Sequence, residues 1–87
     1  TNALSRQDAM LMLKRAMQVS GWSVPDGSAD SLSSYADGVQ VSGYARGAVA
    51  AMVEMGIVNG NSANQLKPWE PITRAEMAVI LYRALTR

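Results

Sequence analysis

This sequence contains no cysteine and no histidine. Without cysteine, no disulfide can staple the fold and no thiolate chemistry is open to it. Without histidine, the commonest general base and the commonest metal ligand are missing. There is no basic run either. Arg6, Lys14, Arg15, Arg46, Lys67, Arg74, Arg83 and Arg87 are scattered, and the formal net charge is +1. A nucleic-acid binder usually shows a basic stripe or a pI above about 9, whereas the pI here is about 8.1. No apolar stretch approaches the roughly 20 residues needed to cross a bilayer. No secretory pattern opens the chain. It begins inside a helical pattern at Ala3-Leu4-Ser5, as a segment cut from a longer protein would.

What the sequence does have is self-similarity. Its 87 residues are enough for one small domain, which buries only about 60–65% of its unfolded surface. Residues 4–17 read LSRQDAMLMLKRAM and residues 72–85 read ITRAEMAVILYRAL. Arg6 matches Arg74, Leu13 matches Leu81, Arg15 matches Arg83 and Ala16 matches Ala84. Leu4 and Ile72, Ser5 and Thr73, Asp8 and Glu76, and Met17 and Leu85 match in kind. Repetition of this sort points to a stacked or pseudo-symmetric architecture.

Both copies predict a helix with the same start. A hydroxyl residue, Ser5 or Thr73, takes the N-cap, and an acid, Asp8 or Glu76, follows three residues later. Thr73 and Glu76 fit a capping box, in which each side chain satisfies the other's free backbone donor; Asp8 is a shorter substitute. First-turn acids also suit the helix dipole. The apolar residues Ala9, Met12, Leu13, Ala16 and Met17 form one predicted stripe, and Met77, Ile80, Leu81, Ala84 and Leu85 another. A third helix is expected from an N-cap at Ser42, with Ala45, Ala48, Val49 and Met52 inward. Gly56 ends it as a left-handed C′ residue, with Ile57 folding back on Met52. The small residues Gly47, Ala48, Ala50 and Ala51 admit a close neighbour. Residues 20–34 are rich in Gly, Pro, Ser and Asp and read as a loop, with Trp22 as its anchor. Asn59-Gly60 is a turn signal, Leu66 a lone apolar plug, and Pro68 and Pro71 predict an extended approach to Thr73. The predicted fold class is all-α. The methionines read as gap fillers on helix faces.

These motifs carry a resemblance. Residues 35–85 are similar to an S-layer homology repeat along nearly their whole length. Tyr35-Ala36-Asp37 looks like its opening aromatic-x-Asp, and Val41-Ser42-Gly43-Tyr44-Ala45 like its helix start, with Tyr44 where tryptophan is usual. Gly56-Ile57-Val58-Asn59-Gly60 resembles its Gly-Ile-x-x-Gly turn, and Leu66-Lys67-Pro68 its Phe-x-Pro. Ile72-Thr73-Arg74-Ala75-Glu76 is its signature, intact. Residues 4–17 resemble the same signature helix of a preceding repeat. The resemblance therefore implies three parts: residues 1–20 as the C-terminal helix of a preceding repeat, 21–34 as an inter-repeat loop, and 35–87 as a complete helix-loop-helix repeat. It further implies membership of a pseudo-threefold bundle of three repeats, with signature helices at the centre. The implied role is non-covalent anchoring to the bacterial envelope, outside the cell, through secondary cell-wall polysaccharide, often pyruvylated, or peptidoglycan. The implied partners are that polymer and adjacent repeats, with no cofactor, no metal and no enzymatic activity.

Candidate contacts follow, each beside a plainer role. Arg74, at a helix start, can grip a carboxylate with two parallel hydrogen bonds, and a pyruvate ketal supplies one; alternatively it pairs with Glu70 or Asp37. Arg6 holds the equivalent place in the partial repeat. Asn59 and Gly60 offer backbone amides to a sugar, or simply make a turn that demands a positive φ. Tyr44, Tyr35 and Trp69 can stack on a pyranose or wall a groove. Asp37 can bind a sugar hydroxyl or cap the loop before Ser42. Thr73 and Glu76, with Ser5, Asp8, Ser42 and Gly56, read as caps. Glycan hydrolysis needs paired carboxylates across a cleft, and the acids here show no such pairing. The regular Asp spacing of a calcium loop is missing around Asp26, Asp30 and Asp37. Helix-mediated assembly is the competing function, because two signature helices without a third leave apolar surface open.

Overall fold

The computed structural model describes residues 4–86; the chain start at Ala3 and the final Arg87 lie outside the described residues. Three helices form: α1 at Arg6–Val19, α2 at Gly43–Glu54 and α3 at Arg74–Leu85, with short 3-10 turns at Ala29–Leu32 and Gly38–Gln40. Among the described residues there is no strand, only an isolated antiparallel bridge between Ser5 and Pro71.

The two similar segments start at the same register. The Ser5 hydroxyl accepts the Asp8 N–H at 3.2 Å. Thr73 and Glu76 form a full capping box, with bonds of 3.1 and 2.9 Å. Asp8 does not reciprocate in α1. Its carboxylate turns to the Tyr44 hydroxyl, which donates to it at 2.6 Å, so Asp8 is a corrected cap. Ser42 does occupy the N-cap position of α2, but its side chain makes no cap bond. Instead the buried Gln7 clasps it: Gln7 Nε2 donates to Ser42 Oγ, and Ser42 N–H donates to Gln7 Oε1, both at 2.9 Å. Gly56 ends α2 with φ of +76°. Its N–H reaches the Val53 carbonyl and the Ile57 N–H the Met52 carbonyl, the paired bonds of a Schellman end.

α1 packs chiefly on α2. α2 buries Ala45, Ala48, Val49 and Met52 as its spacing predicts, together with Ala50 and Ala51. α1 buries Ala9, Leu13 and Met17 of its predicted face but leaves Ala16 exposed. Met10 is buried and Met12 is 57% exposed, because the core lies toward α2 and away from a symmetric partner. From α3, Ile80 and Ala84 enter the core while Leu81 and Leu85 stay open to solvent. The predicted stripes therefore do not close on each other. Just before the helices, the chain segments pair: Ile72 N–H donates to the Leu4 carbonyl and Arg6 N–H to the Glu70 carbonyl, both at 2.9 Å.

The Ser-rich segment 20–34 packs more tightly than its composition suggests. Val24 and Leu32 are buried. The Gly27 N–H bonds the Gly47 carbonyl at 3.0 Å, where the small residues of α2 leave room. Lys14 pairs with Asp26 at 2.8 Å. Glu54 accepts from the Ser28 N–H at 2.7 Å and from the Ser31 hydroxyl at 2.5 Å.

Those bonds, the Ser31 hydroxyl first and the Ser28 N–H second, hold the Glu54 carboxyl below its ordinary value of 4.5. A carboxyl lowered by folding stabilises the fold fully above its unfolded pKa and loses that effect as pH falls through the folded one. The urea midpoint is expected to drop as pH is taken below 4.5. Glu54→Gln should flatten this acid limb; an unchanged limb in the variant would remove Glu54 from the account.

Candidate functional site

The site grows from one buried carboxylate. Asp37, only 7% exposed, accepts the Leu66 N–H at Oδ1 (2.7 Å) and the Lys67 N–H at Oδ2 (2.8 Å). These bonds press Leu66 into the core as a fully buried plug. They also accompany a φ of +53° at Lys67, a conformation uncommon outside glycine and asparagine. Both oxygens of Asp37 are thereby engaged within the protein. The expected sugar contact is corrected on that ground, and so is the cap before Ser42, since Asp37 bonds the distant loop instead. The approach to Thr73 is not uniformly extended either: Glu70 N–H donates to the Lys67 carbonyl at 3.2 Å, making a turn over Pro68 and Trp69.

Around this staple stand the other candidates. Trp69 is 62% exposed, yet its indole N–H is fixed to the Gln40 carbonyl at 2.8 Å. Gly60 does not have a positive φ, so its expected reason is corrected. A Cβ there would sit 2.6 Å from the Tyr35 ring, which makes the glycine a matter of room. Tyr35 itself is half-buried against the core. Asn59 is exposed and shares a cavity of about 220 Å³ with Arg6, Glu76 and Arg83.

The two signature arginines have opposite fates. Arg6 pairs with Glu76 and donates from Nε to the Leu66 carbonyl at 3.0 Å. It is an internal tie between α1, the loop and α3, which corrects its expectation as a free ligand contact. Arg74 is exposed, and its side chain makes no hydrogen bond or ion pair among the described residues. Its suggested internal acids are engaged elsewhere, Asp37 as above and Glu70 with Lys67 at 3.1 Å. Glu76 is both cap and partner of Arg6. Tyr44 stands apart from the loop, its hydroxyl on Asp8 and accepting from Gln7 at 3.3 Å. The bond to Asp8 is the main reason its phenol lies above its ordinary 10.0, with desolvation and the Asp8 charge adding to it.

Residues 34–78 match the family model of the S-layer homology domain. The chain belongs to this family. Comparison with curated proteins and with solved structures gives no match. S-layer homology domains are binding modules for cell-wall polymers, and the family is one of wall anchoring at the cell surface. The matched region runs from just before Tyr35 through α2 and the stapled loop into the first turns of α3. No described helix is long and apolar enough to cross a membrane.

Sequence reasoning passed over Gln7. Its signal was a departure between the copies, glutamine in the first where the second has Ala75. Lys67 was also missed, because a left-handed residue directly before proline runs against the usual extended preference.

Asp37→Ala leaves the buried Leu66 N–H and its neighbour without their acceptor. A loss of about 1–3 kcal/mol is expected, read as a lower urea midpoint at unchanged m-value. A variant as stable as the parent would show that water replaces the carboxylate freely.

Proposed function

We propose that this chain helps to attach a host surface protein non-covalently to the bacterial envelope by binding secondary cell-wall polysaccharide. Its residues 35–87 act as a complete repeat, 1–20 as the last helix of a preceding one, and 21–34 as the link, within a pseudo-threefold bundle. The observation that carries the reading is Arg74: an exposed guanidinium with no internal partner among the described residues, at the first position of a fully capped helix. A helix start favours an anion through its dipole and free amides, and a guanidinium meets a carboxylate with two bonds. A pyruvate ketal on the polymer supplies that carboxylate. Asn59 and Gly60 in the neighbouring turn, and Tyr44 and Trp69 as exposed rings, remain candidates for the sugar itself. Arg6 and Asp37 support the frame.

A second reading is assembly. Arg6 of the first signature helix pairs with Glu76 of the second. The same relation carried forward brings Arg74 to the acid of a further signature helix. The open apolar flank fits this, with Leu85 at 75% exposure beside Leu13, Met17, Trp22 and Leu81 along one groove.

Co-sedimentation with purified cell walls, before and after polysaccharide extraction, separates the two. Binding that disappears on extraction, and an Arg74→Ala variant that keeps its helical circular dichroism but binds roughly ten- to a hundredfold more weakly, are the expected results. Unchanged retention by the variant removes Arg74 from the site. An oligomeric state that changes in Arg74→Ala while wall binding does not, followed by sedimentation velocity, favours assembly.

A further inference from the structure

The loop that Asp37 fixes carries a second feature. Trp69 presents its ring to solvent while its indole N–H is pinned to the Gln40 carbonyl. An aromatic ring kept exposed, yet restrained by its only polar atom, offers a flat apolar face that loses little freedom on contact. The backbone two residues earlier is held in the left-handed region at Lys67 by the buried Asp37 carboxylate. Local strain of this type persists only where surrounding structure enforces it, and it points toward a working surface. Beside the ring lies a cleft of about 180 Å³, walled by Gln40, Gln65, Lys67 and Glu70. Its rim is polar. The Gln65 side-chain N–H2 donates no hydrogen bond among the described residues, and the Glu70 carboxylate is held by Lys67.

We infer that Trp69 and this cleft form a stacking subsite for a neutral pyranose of the wall glycan, separate from the carboxylate contact at Arg74. The axial C–H face of the sugar lies on the indole. Its hydroxyls meet the Gln65 amide as acceptors and the Glu70 carboxylate as donors. Arg74 does not line the cleft, so the two contacts address different parts of the polymer, one its charge and the other its ring. The inference rests on the wall-glycan reading but not on Arg74.

Trp22 and Trp69 are the two tryptophans of the chain, so Trp22→Phe leaves Trp69 as the single indole reporter. The probes are purified wall polysaccharide and the same polymer stripped of its acidic ketals by mild acid. Trp69 emission is expected to shift saturably with both. Trp69→Ala should weaken retention of the stripped polymer roughly three- to tenfold, and Trp69→Phe should keep most of it. If the intact polymer binds and Arg74→Ala abolishes that binding while Trp69 emission stays fixed, the subsite is wrong and the anchoring role stands. If Trp69→Phe binds as weakly as Trp69→Ala and emission is unmoved, the ring acts only through loop order, and the subsite is again wrong. If neither polymer binds the parent chain, both readings fall.

Discussion

The carboxylate of Asp37 is the hinge on which the site depends. Two backbone N–H groups from a loop almost thirty positions further on converge on its two oxygens. A bond from a charged acceptor to buried amides is stronger than a neutral one, and losing it strands the donors. Because the loop between Gly56 and Thr73 has little regular structure, it cannot hold its own shape through helical bonds. The acid supplies the missing definition. Leu66 is then inserted, Lys67 turns left-handed, and the turn over Trp69 delivers the chain to the cap of α3 at a set angle. The residue that resembles a ligand contact works one layer deeper.

What was legible in the sequence was local. Helix starts, the capping box at Thr73 and Glu76, and the left-handed end at Gly56 are written within five or six consecutive residues. They appear in the structure at those residues. What was not legible depends on meetings between distant segments. The α1 stripe was expected to include Met12, and the core takes Met10, because α2 rather than a symmetric copy lies against that helix. Ser42 has the right residue type for a cap, but a better-placed amide, Gln7, claims its hydroxyl. Gly60 is required by the ring of Tyr35 and not by its own torsion. In each case the residue type was informative and the partner was not.

The signature arginines make the same point about chemistry. Arg6 and Arg74 are aligned in sequence and sit at the same helical position. One is engaged by Glu76 and the Leu66 carbonyl, while the other extends into solvent. Motif identity does not fix the role of a guanidinium; the nearest free carboxylate does. The internal pair is itself partly exposed, so it contributes modestly to stability. Its larger effect is to set the relative position of α1, the loop and α3.

The short backbone pairing between the segments that enter α1 and α3 has a structural consequence. Here the bonds between Leu4 and Ile72, Arg6 and Glu70, and Gln7 and Pro68 run across the direction of chain travel. The segments are antiparallel, so Leu4 and Ile72 close one end of the pairing and Gln7 and Pro68 the other, and the two approaches are joined along their length. The tips of α1 and α3 are thereby tied by bonds that depend on no side chain, so their relative placing can persist while the residues around them change.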